Sequence, residues 1–457
     1  MIADEQSTVN LRWAGNTLTT NGVATTRSLT VIAIDRRGGP SGATCGVGIV
    51  SRSGARPDQV EEIVAEARKA AADAPPAADA QELAQSATDR SGSRSWEDDA
   101  APTEVGVLRE FAGQLGETLR AAQAAGRKLY GFAEHEVTST FLGTSSGLRL
   151  RHDQPTGRLE LNSKSASDLS PTGARSAWAG ATTRDFSDVD PAALDASLAQ
   201  RLAWQARRVE LPAGRYETLL PPTAVADLMI NFYWSAGARE AAEGRSPFSK
   251  PGGKTRIGER LSAQPVSLFS DPGYPGLECA PFVIAHSSGD DSSVFDNGMP
   301  SGRATWLDGG VMSGLYSSRH SAKLAGLPVT PAVDNLVLSS GAQYAQDAGS
   351  LESMIASTRR GLLLTCLWYI RIVDPQTLLL TGLTRDGVYL IEDGEVTGAV
   401  NNFRFNETPV GMLSRLAEAG ATERSTLPRE WSDYFTRCAM PPLRIEGFNM
   451  SSVSQAS

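Results

Sequence analysis

The chain has 457 residues, of which 40% are hydrophobic and 21% charged, and its formal net charge at pH 7 is −9. This length and composition are typical of a soluble globular protein with two substantial domains. The acidic balance argues against nucleic acid or an anionic membrane as a partner, and the longest apolar run, 362–370, is too short to cross a bilayer. Four scattered cysteines without a CxxC pair, and a start without a basic and apolar leader, predict a reduced protein of the cytoplasm.

The first half of the chain alternates between strand and helix patterns. Strands are predicted where apolar residues alternate with polar ones: 10–21, 28–35, 44–51 and several segments within 128–165. Helices are predicted where apolar residues recur at helical spacing: 58–72, 105–125 and 190–208. Residues 1–210 are therefore expected to form an α+β domain, a layered domain of mixed strands and helices with the helices on one face of the sheet.

Three local signals refine this N-terminal domain. Asp190 is a suitable N-cap, with Pro191 at the first helical position. Pro155-Thr156-Gly157 is predicted to be a turn between two strands. Residues 73–103 are rich in Ala, Pro, Ser and Asp, a composition that buries too little apolar surface to offset the cost of ordering, so they are predicted to form a flexible loop.

The C-terminal domain, 211–457, is predicted to be organised around one helix at 223–243, with Thr223 as N-cap, Asp227 near the positive helix end and Gly244 as the stop. Its first three turns have almost no polar face, which is typical of a buried helix. The residues expected to lie in a core or at an interface are Asn231, Phe232, Tyr233 and Trp234. Many strands separated by glycine turns follow, so we expect a large, mostly antiparallel sheet or partly closed barrel around this helix.

Several short motifs resemble catalytic signatures but lack the required context. Glu134-His135-Glu136 begins like a zinc-peptidase helix, yet it lies in a strand pattern and no second His follows. The pattern Gly143 to Gly147 matches the hydrolase G-x-S-x-G motif, but strand sequence follows it, which favours a hairpin turn. A zinc site assembled from distant residues such as His286, His320 and Cys438 has no supporting spacing. The residues by themselves therefore predict neither a catalytic nor a metal-binding residue in this chain.

Four segments, in the same order along the chain, resemble the TldD/PmbA (TldD/TldE) family of bacterial metallopeptidase subunits. They read LRWAGNTLTTNG, DDSSVFDNGMPSGRATWLDGGVMSGLYSSRHSAKLAG, SLESMIASTRRGLLLTCLWYIRIVDPQTLLLTGLTRDGVYLIEDGEVTGAVNNFRF and PPLRIEGFNMSS. In this family the TldD-type subunit carries an H-E-x-x-x-H helix and a distant Cys that bind zinc, and the TldE/PmbA-type subunit lacks them. The sequence also lacks the helix that precedes the first strand in the family, which indicates a shortened start.

The resemblance places the helix at 223–243 where the zinc helix would be, and no His or carboxylate occurs between Leu228 and Arg239. The surroundings of Cys438, FTRCAMPPL, do not match the ligand cysteine either. The resemblance therefore implies a non-zinc-binding subunit with no cofactor of its own, in a heterodimer with a TldD-like subunit that holds the zinc. The implied substrate is an unfolded or leader peptide. The alternatives are a subunit of a small-molecule amidase or N-deacetylase of natural-product metabolism, and a non-enzymatic scaffold or regulator of a partner.

In such a pair the non-zinc subunit helps to enclose the substrate chamber. The turn-rich stretch 285–297 and the polar segment 401–404 are candidates for its lining. The candidate chamber residues are His286, Asp290, Asp291, Asn401, Asn402 and Arg404. The alternative for each of them is an ordinary surface turn.

Overall fold

A computed structural model of the protein describes residues 1–38, 44–85, 96–165, 175–340, 349–385, 387–423 and 426–454. The helices are α1 (Val60–Asp73), α2 (Arg109–Ala124), α3 (Pro191–Trp204), α4 (Pro222–Trp234), α5 (Ala238–Ala242), α6 (Arg319–Ala325), α7 (Leu351–Ser357) and α8 (Pro409–Ser414). The strands of the N-terminal half are β1 (Ile2–Ala14), β2 (Thr17–Arg37), β3 (Thr44–Ser53), β4 (Arg127–Gly143), β5 (Arg149–Ser165) and β6 (Ser176–Thr183).

The strands of the C-terminal half are shorter and more numerous. They are β7 (Arg208–Val209), β8 (Gly214–Leu220), β9 (Ser249–Lys250), β10 (Lys254–Thr255), β11 (Ser267–Ser270), β12 (Ala304–Asp308), β13 (Val311–Met312), β14 (Leu336–Ser339), β15 (Arg360–Leu364), β16 (Leu367–Asp374), β17 (Leu379–Thr384), β18 (Val388–Glu392), β19 (Glu395–Val400), β20 (Phe403–Glu407), β21 (Leu416–Ala419), β22 (Cys438–Ala439) and β23 (Leu443–Val453). The mixed α+β class predicted from the sequence is confirmed.

The N-terminal sheet has the strand order β3-β2-β1-β4-β5-β6, and its neighbours are antiparallel. Side chains alternate between its two faces. On one face Val9 and Leu11 form a core with Phe111 and Leu115 of α2. On the opposite face Ile2, with neighbours of β4 and β5, contacts Phe282 of the C-terminal half. The sheet is therefore a middle layer, with helices on one side and the rest of the chain on the other.

Two local predictions in the N-terminal half are wrong, one of a strand and one of a turn. The predicted strand 10–21 is interrupted by a tight turn at Gly15 and Asn16, whose φ angles of 60° and 68° match the hairpin turn that favours these two residue types. Pro155 lies inside the continuous strand β5, opposite Val137 of β4. The pairing of β5 with β6 begins only at Gly157, so Pro155 lies where β5 is an edge strand and a missing N–H is tolerated.

The predicted loop 73–103 is described only in part. Residues 74–85 and 96–104 lie outside helices and strands, and residues 86–95 lie outside the described part of the chain. The hairpin turn predicted at 143–147 is confirmed, because β4 ends at Gly143 and β5 begins at Arg149.

The C-terminal half contains two larger sheets among the described residues. The ten-stranded sheet has the order β16-β17-β20-β23-β8-β15-β18-β19-β7, with β21 also paired to β23, and only β8·β15 and β7·β19 are parallel pairs. The five-stranded sheet has the order β13-β12-β11-β14-β22. Helix α4 packs in the core between them, against Leu268 and Leu336 of the smaller sheet and Leu362 and Phe403 of the larger one.

The single helix predicted at 223–243 is wrong, because the structure has α4 and α5 with a break at 235–237. Pro221, not Thr223, is the N-cap residue. In a continuous helix the N–H of Ala238 would donate to the carbonyl of Trp234. Here the Trp234 carbonyl accepts from the Tyr316 hydroxyl at 2.8 Å, and the Ala238 N–H donates to the Tyr316 carbonyl at 2.9 Å. The hydroxyl and carbonyl of Tyr316 therefore replace the two partners of one helical hydrogen bond, and α4 ends at this point.

Candidate functional site

The polar atoms of α4 converge on the segment 429–431. Asp227, in the second turn of α4, is fully buried, and its carboxyl accepts the main-chain N–H of Glu430 at 2.8 Å. Its own carbonyl accepts from the Trp431 indole at 3.0 Å and from the Asn231 amide at 2.8 Å. Helix α4 and the segment 429–431 are thus held together by the main chain and the side chain of one residue.

The sequence suggested that Asp227 lies near the positive helix end, but in the structure it lies in the second turn of α4. Desolvation raises the pKa of this carboxyl well above its usual value, although backbone hydrogen bonds from Glu430 and Arg429 oppose the shift. One carboxyl oxygen, Oδ2, is buried without a hydrogen-bond partner. These surroundings favour the protonated acid, because a charged carboxylate there would have too few donors.

Glu430 continues the connection to the edge of the larger sheet. Its carboxylate accepts the main-chain N–H groups of Tyr369 at 3.0 Å and Ile370 at 3.1 Å, and it pairs with Arg371 at 3.2 Å. These two N–H groups lie in a bulge of β16, where Tyr369 has a φ of 55°. The carboxylate therefore stabilises a strained bulge by taking two donors that the ladder leaves without partners.

The residues around α4 do not fit a zinc ion. Zinc sites use three or four converging Cys, His, Asp or Glu ligands. The groups available here are the buried acid Asp227, the amide of Asn231 and the buried thiol of Cys438, whose pKa is raised by desolvation and by the nearby Asp227. Across the described ranges, no three His, Cys, Asp or Glu side chains lie close enough to hold a metal. The distant set His286, His320 and Cys438 therefore does not form such a group.

The candidate chamber residues of the 285–297 stretch lie near α5 and the start of β1. The imidazole of His286 is 3.1 Å from the carboxylate of Asp4 in β1. Asp290 pairs with Arg245 at 2.8 Å and with Arg239 at 3.4 Å. The segment thus connects the two halves of the chain with polar and charged groups.

Two carboxylates in this region have shifted pKa values. Desolvation alone would raise the pKa of Asp4, but hydrogen bonds from His286 and Thr140 outweigh it and lower the pKa. Desolvation raises the pKa of Asp291, although its carboxylate accepts the Arg239 N–H at 3.2 Å at the start of α5. A Cβ on Gly237 would lie 2.3 Å from Asp291, so this close approach requires the glycine.

The candidate chamber residues of the 401–404 segment contact different elements. The side-chain oxygen of Asn401 accepts the N–H of Leu211 at 2.7 Å, and its amide nitrogen is buried without a partner. The carbonyl of Asn402 accepts the N–H of Ser454 at 2.8 Å. Arg404 is exposed on β20 and donates to the hydroxyl of Thr381 at 3.2 Å. Their role in a chamber stays a prediction.

The helix residues predicted to lie in a core or at an interface divide into two groups. Asn231, Phe232 and Tyr233 are buried, and the Tyr233 hydroxyl donates to the Val333 carbonyl at 2.8 Å. Trp234 is 38% exposed and meets Trp431 edge to face, with ring centroids 5.1 Å apart. Of these residues, Trp234 is thus the one with surface left for another molecule.

Sequence reasoning missed the roles of Asp227 and Glu430. The available signal was a single acid within an otherwise apolar helix, since a buried carboxyl needs a partner. The partner lies 203 residues away in sequence, so no local pattern identifies it.

Comparison with known proteins gives one family match. The sequence profile of the PmbA/TldA metallopeptidase C-terminal domain matches residues 213–452. A comparison with curated proteins gives no significant match. Within the described ranges, no helix combines the length and apolar character needed to cross a membrane.

Solved structures share the fold over nearly the whole chain. One is described as TldE from Thermococcus kodakarensis, with a TM-score of 0.75, 17% identity, and coverage of 98% of this chain and 95% of that chain. Another, from Thermotoga maritima, is described as a candidate modulator of a DNA gyrase, with a TM-score of 0.73, 16% identity, and coverage of 98% and 94%. A similar candidate modulator from Bacteroides thetaiotaomicron has a TM-score of 0.71, 14% identity, and coverage of 99% and 94%.

Proposed function

Because the chain belongs to the PmbA/TldA metallopeptidase family, we propose that it is the non-zinc-binding subunit of a TldD/TldE-type heterodimer of the cytoplasm that hydrolyses amide bonds of unfolded or leader peptides. The observation that carries the proposal is the composition of α4. Where the resemblance implies a zinc helix, this chain has apolar residues, a buried acid and an amide that bonds to the helix itself. A TldD-like partner would hold the zinc.

The surface of the chain supports a partner. Tyr369, Ile372 and Val373 are exposed on β16, which is the edge strand of the larger sheet. Exposed apolar residues on an edge strand favour association, because they combine apolar area with unpaired backbone groups. Trp234 adds a further partly exposed ring.

Zinc held by the partner would supply an activated water for attack on the amide carbon. The residues of this chain would wall the chamber, orient the peptide and exclude bulk water. His286, Asp290 and Asp291 offer polar groups near the contact between the two halves of the chain. A second set of polar side chains lies in and beside β20: Asn401, Asn402 and Arg404.

The experiment is to co-express this chain with a TldD-like subunit and to measure association, zinc content and hydrolysis. Size-exclusion chromatography is expected to show one complex, with zinc in the partner and with hydrolysis of an unstructured peptide only by the pair. The matched controls are the two subunits purified separately. Separate elution at micromolar concentration, or one zinc per chain in this subunit alone, would contradict the proposal.

Two further outcomes would replace the proposed activity. Hydrolysis of an N-acetyl amino acid but not of the peptide would favour a small-molecule amidase. A zinc subunit that is fully active alone would leave this chain as a scaffold or regulator.

A further inference from the structure

A pocket lies between the N-terminal sheet and the edge strand β16. Tyr130, Asn162 and Trp178 stand side by side on adjacent strands, since Tyr130 pairs with Asn162 and Asn162 with Trp178. They are on the face opposite the helices, because their neighbours Leu129 and Leu161 belong to the helix-side core. Trp368 and Arg429 form the other wall, and the space between the walls is about 400 Å³. This volume suits a small organic ligand.

The described lining residues make this pocket basic and aromatic. Lys164, Arg385 and Arg429 line it, and none of the described lining residues is acidic. Glu160 lies beside the pocket: its carboxylate accepts the Trp178 indole N–H at 3.1 Å and lies 3.9 Å from the Arg429 guanidinium. One carboxylate does not balance the two cations Lys164 and Arg429, so the field in the pocket favours an anion.

Arg429 is the residue most specifically arranged. Its guanidinium carbon lies 4.3 Å from the ring centroid of Trp368 and 5.2 Å from that of Trp178. Its side chain is only 20% exposed, and its Nε is buried without a hydrogen-bond partner. A guanidinium stacked on aromatic faces can still donate from its terminal Nη groups, and two such groups match the two oxygens of a carboxylate.

We propose that this pocket binds a carboxylate attached to a flat apolar group. The carboxylate would pair with the terminal Nη groups of Arg429, and Lys164 would add attraction at the rim. The flat group would lie against Tyr130 and the tryptophans. The free C-terminus of a peptide that ends in an aromatic residue and a free aromatic acid share this chemistry. The proposal does not depend on a zinc subunit, because every group named belongs to this chain.

The test is isothermal titration calorimetry of the full chain with N-acetylphenylalanine and with its uncharged amide. The acid is expected to bind at least about tenfold more tightly than the amide, since a charge-assisted hydrogen bond is lost in the amide. Arg429→Gln and Trp368→Leu are each expected to weaken binding of the acid by about tenfold. Lys164→Gln, at an exposed position, is expected to weaken it less and to reduce its dependence on salt.

The matched control is Arg303→Gln, because Arg303 also lies over an aromatic ring, Phe269, but outside this pocket. This variant is expected to bind like the unmodified chain. A peptide that ends in phenylalanine, with a free or an amidated C-terminus, separates the two ligand sources. Binding of the free peptide identifies a peptide end, and binding of the small acid alone identifies a free aromatic acid.

The proposal is overturned if the acid and the amide bind equally, if neither binds, or if Arg429→Gln and Trp368→Leu both leave the affinity for the acid unchanged. A failure here would leave the heterodimer proposal untouched, because association and peptide hydrolysis are measured without this ligand.

Discussion

The main-chain N–H of Glu430 donates to the buried carboxyl of Asp227 at 2.8 Å, while the Glu430 carboxylate accepts two N–H groups of the β16 bulge. One residue thus connects the central helix α4 to the edge of the larger sheet. Trp431, the next residue, donates to the Asp227 carbonyl and packs against Trp234. Asp227 is therefore connected through Glu430 to the bulge of β16, which follows Trp368 in one wall of the basic aromatic pocket.

Replacement of Asp227 by Asn is expected to change how stability depends on pH. The pKa of Asp227 is higher in the folded chain than in the unfolded chain, where it is about 4. Its contribution to the free energy of unfolding is therefore complete below about pH 4 and is lost as the pH rises toward the pKa of the folded state. Asn does not titrate, so the variant should gain stability relative to the unmodified chain by up to about 1.4 kcal/mol per pH unit over that range. Thermal unfolding from pH 4 to 8 measures this difference. A difference that stays constant with pH would contradict a protonated Asp227.

Replacement of Glu430 by Ala is expected to destabilise the chain by about 2 kcal/mol or more, because two backbone N–H groups lose a charged acceptor. Hydrogen exchange at Tyr369 and Ile370 should accelerate more than elsewhere in β16. Glu446→Ala, at an exposed position, is the control and should stay within about 0.5 kcal/mol of the unmodified chain. Equal effects of the two variants in urea unfolding would exclude this role for Glu430.

Replacement of Tyr233 by Phe is expected to cost about 2 kcal/mol or more. The buried hydroxyl donates to the Val333 carbonyl at 2.8 Å and accepts the Val333 N–H at 2.9 Å, so the variant leaves both backbone groups unpaired. Tyr434→Phe serves as the matched control because Tyr434 is 75% exposed. Urea unfolding compares the two. If Tyr233→Phe were as stable as Tyr434→Phe, water would have to replace the hydroxyl.

Replacement of His286, Asp290 and Arg404 by Ala, one at a time, tests the chamber. Each variant is expected to form the heterodimer and to leave zinc bound in the partner, while peptide turnover changes in at least one of them. Asp58→Ala, at an exposed position before α1, is the control. Unchanged kinetics in all three variants would leave these residues as structural support only.

The sequence predicted those parts of the fold that depend on neighbouring residues. Asp190 caps α3 by accepting the N–H groups of Ala192 and Ala193 at 2.9 and 3.1 Å, as its position before Pro191 predicted. The strands β4 and β5 follow from alternation, because one face of each contributes to the helix-side core. The predicted mixed α+β class rested on such local patterns.

The remaining features depend on contacts that are distant in sequence. The break after Trp234 comes from Tyr316, 82 residues later, which supplies a donor and an acceptor in place of the helical bond. Local propensity cannot predict such a substitution, since 223–243 carries a continuous helical pattern. The pocket was missed for the same reason, because Trp178, Trp368 and Arg429 approach each other only after the two halves have packed together.

The place of β23 in the larger sheet has a consequence during protein synthesis. This strand, the last in chain order, pairs with β8 on one side and β20 on the other. Until the ribosome has released residues 443–453, both of these strands present open edges and the core around α4 is exposed to chaperones and proteases. The N-terminal sheet, by contrast, has all its described strands once residue 183 has been translated. The strands of the N-terminal sheet are therefore available to pair before those of the larger sheet, whose completion depends on translation of β23.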